Sequence, residues 1–311
     1  MEKLHGSIYS SALRARMDGW AQQANSYVFL REGEPQTVML YQLRGRTLTV
    51  RNEVFTIGAH DIALFAEHML TRYPKVGVIR MHSIDTDLAL LRMPMLKVQA
   101  KEDIVVDLPG DSQSYWSSLG KTTRQNIKYY RNKLTREQGD FTLLIEEGAN
   151  ITREAFDAVA QLNRARMQSK GKQYFNSVDN LEQTWRFTRQ TGMVLRLMVG
   201  GRAVAGAICL RAGDNWHLDT IAHDPALNGY RLGTLCCYLT IEECIRRGGR
   251  EFHFLWGQYD YKYRFLGKER KLYDLAIYRS RSNMALQPQA MLATWSQRAR
   301  SRARSWLASR A

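Results

Sequence analysis

The chain lacks several features that would assign a protein to a class at once. It has no apolar run approaching the about 18 residues a membrane-spanning helix needs. Its start, MEKLHGSIYSSALRARMDGW, holds no apolar segment of the secretory type, so the expectation is a cytoplasmic protein. Cysteine is scarce. Cys209, Cys236, Cys237 and Cys244 form no CxxC pair and have no histidine at ligand spacing, which argues against a zinc site and against a disulfide framework. Cys237 and Cys244 share a helix face by spacing and read as buried, reduced thiols. Acidic residues are missing from two long stretches, Ser112 to Arg136 and everything after Asp274. With 45 Lys and Arg against 30 Asp and Glu, the net charge is +15. Such an imbalance points to an acidic partner: nucleic acid, an anionic membrane surface, an acidic carrier protein or a phosphorylated small molecule.

What is present is ordinary for a globular protein. The 311 residues are 44% hydrophobic and 10% aromatic, enough for two domains or one large one. Residues 1–24 read as a short helix or arm. Tyr27–Arg31, Gln36–Leu43 and Arg46–Arg51 read as strands joined by turns at Glu32-Gly33 and Arg44-Gly45. Asp61 is placed to cap a helix whose apolar residues Ile62, Phe65, Ala66 and Met69 recur at helical spacing. Residues 97–113 read as a strand followed by a connector with Pro109-Gly110, the expected domain boundary. The organisation expected is an α/β unit over 1–110, a second unit over 111–285 and a basic tail over 286–311.

A helix is predicted across 114–140, with Trp116, Leu119, Thr123, Ile127, Tyr130 and Leu134 on one apolar stripe. Lys121, Arg124, Lys128 and Arg131 form a second, basic stripe. Two readings stand: a solvated helix face, or an anion-binding face whose partner relieves the repulsion of four aligned cations. The tail, with Arg298, Arg300, Arg302, Arg304 and Trp306, reads either as a cationic solubilising segment or as a helix lying on an anionic membrane.

The chain is organised around Arg202–Gly267. Its pattern is strand, Gly213-Asp214-Asn215 turn, strand, a glycine-bearing loop, the helix TLCCYLTIEECIRRGG, the strand EFHFLW and the segment GQYDYKYRFLGK. A glycine-bearing loop feeding a helix N-terminus presents backbone N–H groups to a phosphate-bearing ligand.

This order of elements resembles the GNAT acyltransferase fold. The helix SSLGKTTRQNIKYYRNKLTREQGDF and the closing run from Phe252 through Gly257, Tyr261 and Lys262 to Gly267 are similar to those of the BioF2-like (CelD-type) acetyltransferases. The closing run also resembles a segment of Fem-type peptidoglycan aminoacyltransferases, which are built from two GNAT-like domains. The resemblance implies an α/β (α+β) fold with a mixed, mostly antiparallel sheet flanked by helices, in two tandem GNAT-like units, the first degenerate. It implies an acyl-CoA donor, acetyl-CoA first, and an amine or hydroxyl acceptor in cell-surface polysaccharide synthesis. The loop Asn228–Thr234 departs from the usual pyrophosphate loop in holding only two glycines, so an acyl carrier protein or an aminoacyl-tRNA stays open as donor.

On that fold, Ile221, Ala222 and His223 fall where backbone contacts to the donor are made, and Gly229, Tyr230, Arg231, Gly233 and Thr234 where its phosphates lie. His217 and Asp219 alternate along one strand and so face one side, a pairing suited to a general base; His223 is a second candidate base. The alternative is that both hydrogen-bond neighbouring structure. His253 reads as a core histidine. Tyr261 is placed to protonate a leaving thiolate, and Lys262 to bind a donor phosphate or an acceptor carboxylate. Tyr174, Trp256 and Tyr259 are candidate walls for the acceptor. No metal is expected. The competing readings are a transferase using aminoacyl-tRNA and a catalytically inert module that scaffolds a membrane-associated synthase, which would place the protein at the inner face of the membrane.

Overall fold

The computed structural model describes residues 1–171 and 178–286. In order, its elements are α1 (Glu2–His5), α2 (Ala12–Met17), β1 (Asn25–Arg31), β2 (Glu34–Arg44), β3 (Thr47–Val50), α3 (Ala59–Arg72), β4 (Val78–Ile84), β5 (Met95–Asp107), α4 (Ser112–Ser118) and α5 (Lys121–Gln138). There follow β6 (Phe141–Glu147), α6 (Arg153–Ser169), α7 (Val178–Thr191), β7 (Gly192–Val199), β8 (Arg202–Ala212), β9 (Asn215–His223), α8 (Leu232–Arg246), β10 (Glu251–His253), α9 (Asp260–Arg264), β11 (Lys268–Tyr278) and α10 (Arg281–Ala285). The chain divides into two compact units, Met1–Asp103 with the chain from Arg270 onward, and Ile104–Glu269. Most of β11 thus belongs with the N-terminal unit, where the sequence reading grouped it with residues 111–285. The basic tail expected over 286–311 lies, beyond Leu286, outside the described residues, as does Tyr174. Among the described residues no helix is long and apolar enough to cross a membrane.

In the first unit the strands run in the order β1-β2-β3-β4-β11, antiparallel except for the β3–β4 pair. The apolar stripe of α3 is buried as its spacing predicts: Ile62, Phe65, Ala66 and Met69 pack with Met39, Leu48 and Met81. Asp61 does not cap that helix. Gly58 stands at the cap position, and Asp61 accepts a hydrogen bond from Thr37 Oγ1 at 3.0 Å.

In the second unit the order is the end of β5 (Ile104–Asp107) and then β10-β9-β8-β7-β6, antiparallel except for β10–β9. The turns at Gly200-Gly201 and Gly213-Asp214 close the β7–β8–β9 meander. Helix α8 packs under the sheet, and its Cys236, Cys237 and Cys244 share a core with Cys209, Trp216, Leu218 and Phe252. Helix α6, capped by Thr152 as its sequence suggests, lies on β8 so closely that a Cβ at Gly206 would come within 2.6 Å of Val159. The helix predicted over 114–140 is two helices. Leu119 and Gly120 are extended and end α4 before α5 begins.

Candidate functional site

The site is created by one irregularity in β9. Along β8 and β9, Leu210 faces His217 and Cys209 faces Leu218, but Ile208 faces Thr220. Asp219 is therefore an extra residue, a β-bulge, and side-chain alternation shifts by one across it. Before the bulge, Trp216 and Leu218 point into the α8 core and His217 points the other way. Beyond it, Ile221 and His223 turn to the α8 side: Ile221 packs against that core, and a Cβ at Gly233 of α8 would lie 3.1 Å from His223 Nδ1.

Past His223 the chain makes a tight loop into α8. Asp224 caps a 3-10 turn over Pro225–Tyr230 by accepting from Ala226 N at 2.9 Å. Arg231 then adopts a left-handed backbone, φ 49° and ψ 40°, and α8 begins at Leu232 with no side chain capping it. A non-glycine residue in that region costs roughly 1–2 kcal/mol. Strain of this kind persists where surrounding structure holds it, often at binding sites. The outcome is a helix N-terminus whose first N–H groups face outward with the positive end of the helix dipole.

A cavity of about 780 Å³ opens there, lined by Ile221, His223, Asn228, Gly229, Arg231, Gly233 and Thr234 from β9 and the α8 loop. Tyr130 of α5, Arg166 of α6, Lys170 just past its end, and Tyr261 of α9 complete it. A smaller cavity of about 270 Å³ shares Tyr130, Arg231, Thr234 and Tyr261 and adds Thr123, Asn126, Arg264 and Phe265. Among the described residues no carboxylate lines either space. Nor does any group of three His, Cys, Asp or Glu side chains among them offer a metal site.

Two titratable groups in the cavity are tuned by it. Burial holds the His223 imidazole below its usual pKa, helped by the charges of Arg166 and Lys170 and opposed by Asn228, whose Oδ1 is 2.9 Å from Nε2. Burial raises the Tyr261 phenol well above its ordinary value. At neutral pH the site thus offers an uncharged imidazole, able to accept a proton, and a phenol that keeps its own. Tyr261 is steadied edge-on by Phe254, ring centroids 5.8 Å apart.

Of the residues singled out in the sequence, Ile221, His223, Gly229, Arg231, Gly233, Thr234 and Tyr261 meet in this cavity. The expectation that His217 and Asp219 form a one-sided base pair fails at the bulge. His217 is fully buried and stacks on His253, ring centroids 4.3 Å apart, and burial together with that neighbour pushes its pKa well down. Asp219 is exposed and accepts from Thr220 Oγ1 at 2.9 Å. Lys262, expected to bind a phosphate or carboxylate, is buried and donates from Nζ to the carbonyls of Phe254, Leu255 and Trp256 at 3.0, 3.1 and 2.5 Å. It closes the end of β10, just beyond which Leu255 has a left-handed φ of 56°.

Other expectations shift in place rather than in kind. Ala222 is buried on the opposite face from its neighbours. Tyr230 stands beside the cavity, its hydroxyl accepting from Gln138 Nε2 at 2.8 Å and its ring under Lys133. Tyr259 is 55% exposed and Trp256 half-buried, and neither lines the cavity. The basic stripe of α5 is not its cavity face. Arg124 donates to Ser117 O at 2.7 Å, Lys128 sits over Trp116 and Arg131 over Phe141, while Lys121 is exposed. The face toward the cavities carries Thr123, Asn126 and Tyr130 instead. Arg166 and Arg264 escaped the sequence reading, Tyr130 was read only as part of the apolar stripe, and Asn228 only as the first residue of the loop. Arg166 and Lys170 are one helical turn apart, a spacing visible in the sequence but without meaning until β9 lay beneath them.

Residues 121–263 match the family model described as acetyltransferase (GNAT) domain. No curated protein sequence matches the chain. Among solved structures, the chain is similar to FemX, with a TM-score of 0.64 at 10% identity over 93% of this chain and 96% of that one. It is similar to the C-terminal domain of an Agrobacterium fabrum protein assigned as a lysylphosphatidylglycerol synthetase, with a TM-score of 0.50 at 10% identity, covering 88% of this chain and 90% of the other. L-PGS from Bacillus licheniformis gives 0.50 at 14% identity, with 83% and 84% covered. At such identities the likeness is one of fold. Together with the family match it establishes that the second unit is built on the GNAT acetyltransferase fold, around a cavity at the N-terminus of α8.

Proposed function

We propose that this protein is an acyltransferase that takes its acyl group from acyl-CoA, acetyl-CoA first, and passes it to an amine or hydroxyl. The observation that carries the reading is the meeting of an uncapped helix N-terminus, a neutral imidazole and a protonated phenol around one cavity. A bound acyl-CoA supplies an activated thioester and a set of phosphates. The N–H groups opening α8, with Arg231, suit the phosphates by hydrogen bonding and by charge. His223 takes the proton released as the acceptor's nitrogen or oxygen bonds to the acyl carbon. Tyr261 gives its proton to the departing sulfur as the carbon–sulfur bond breaks. The resemblance to BioF2-like acetyltransferases supports an acceptor from cell-surface polysaccharide synthesis.

A second reading has its own support. The likeness to FemX spans nearly the whole chain, and a Fem-type donor is an aminoacyl-tRNA. The two are separated by thermal unfolding with acetyl-CoA or with aminoacyl-tRNA, since a ligand of the native state raises its stability by mass action. Acetyl-CoA is expected to raise Tm at low and moderate salt alike. A shift produced by aminoacyl-tRNA alone, and lost steeply with salt, selects the second reading. No shift with either, or with an acylated carrier protein, overturns both.

A further inference from the structure

Helix α6 carries a cation that nothing among the described residues accounts for. Arg153, in its first turn, is paired with Asp157 and Glu182. Arg166, at the other end, pairs with no carboxylate of the described residues. Its Nη1 is 3.5 Å from Ile221 O, a long contact, and its Nε is buried without a hydrogen-bond partner. A buried guanidinium N–H left unpaired is costly, and the cost is removed when an anion supplies the acceptor. Arg166 lines the same cavity as His223 and Tyr261, the two groups assigned to proton transfer. The phosphate-suited end of the cavity, at Arg231 and Gly233, is a separate place on a separate element.

We propose that the acceptor taken by this cavity is anionic, bearing a phosphate or carboxylate beside its amine or hydroxyl, and that Arg166 is the specificity-determining residue that pairs with it. The inference rests on the acyl-transfer reading of the same cavity. A planar guanidinium meets either oxyanion with two parallel N–H···O bonds and holds it in one orientation, which aims the neighbouring nucleophile. Lys170, one turn on and lining the same space, adds to the positive field there. The absence of any carboxylate from the described lining makes the cavity unsuited to a polycationic acceptor.

The test uses matched small acceptors on the full-length protein: phosphoethanolamine against ethanolamine, and β-alanine against β-alaninamide. Binding is read by titration calorimetry and acetyl transfer by release of free thiol from acetyl-CoA. The wild type is expected to favour the anionic member of at least one pair by about 10- to 100-fold in affinity, the range of a hydrogen-bonded charge pair. The pair with the larger ratio tells phosphate from carboxylate. Arg166→Gln is expected to abolish the ratio while leaving acetyl-CoA affinity within about twofold, and Arg166→Lys to keep part of it. Equal binding of charged and neutral members overturns the inference. So does a loss of acetyl-CoA affinity in Arg166→Gln, which would assign the guanidinium to the donor. Discrimination in binding with no acetyl transfer leaves this inference standing and sinks the donor assignment; transfer without charge preference does the opposite.

Discussion

His217 and His223 stand on one strand, and Tyr261 and Lys262 are neighbours on one short helix, yet each pair divides between two fates. His217 and Lys262 are buried and engaged by the protein, one against His253, the other on three carbonyls. His223 and Tyr261 face the cavity, their pKa values moved apart in the directions that acid–base work needs. The bulge at Asp219 accounts for the first division, because it turns the strand's far end to the α8 side. The end of β10 at His253 accounts for the second, because the carbonyls of Phe254, Leu255 and Trp256 just beyond it all accept from Lys262. A charged or titratable residue near a site in the chain is thus not thereby part of it; what matters is whether the fold leaves it open to the cavity or buries it.

The sharpest way to break this comparison is Lys262→Met. If the ammonium is structural, removing its three hydrogen bonds should cost roughly 3–5 kcal/mol, seen as a lower midpoint of urea unfolding. A protein of unchanged stability with a raised KM for the donor would restore Lys262 to the site. On the open side, Tyr261→Phe is expected to lower kcat by about 100-fold with stability almost unchanged, because only a proton donor is lost. His223→Gln should act similarly, and in the wild type the acid limb of the rate profile should lie below the ordinary histidine value of about 6.5. Arg166→Gln should move that limb upward, since it removes a cation that disfavours the imidazolium.

The closed side makes its own pH prediction, in stability rather than rate. His217 has a folded-state pKa well below its unfolded one, so below about pH 6.5 the unfolded chain binds a proton that the folded chain refuses. Stability is therefore full above that pH and declines as pH falls from it. His217→Phe is expected to flatten the decline between pH 6.5 and the folded pKa, checked by Tm across pH. The smallest effect is reserved for the α5 stripe. Lys128→Gln should change stability by less than about 0.5 kcal/mol and leave the donor KM alone, as suits a cation resting on Trp116 away from the cavity. A markedly weakened donor affinity would return that stripe to the site.

Much of the fold was legible in the chain. The turn at Gly213-Asp214 and the stripe Ile62, Phe65, Ala66 and Met69 are local signals, and each element formed where its signal lay. The site was half legible. The loop Asn228–Thr234 and Tyr261 could be placed because order along the chain sufficed for them. His217 was misassigned because strict alternation is assumed unless a bulge announces itself, and Asp219 carries no glycine or proline to do so. Arg166 was missed because a lone arginine on an amphipathic helix looks like any solvated cation.

By itself, then, the sequence determined periodicity, turns and the order of strands and helices, since these follow from forces acting within a few residues. It also determined the excess of positive charge and the family resemblance of residues 121–263. Tertiary structure alone decided which cations are neutralised, which histidine is accessible and which face of α5 looks into the cavity. Those outcomes depend on burial and on hydrogen-bond partners far apart in the chain, such as Arg166 and Ile221, or Gln138 and Tyr230. Desolvation sets the pKa of His223 and Tyr261, and desolvation exists only once the chain has closed around them.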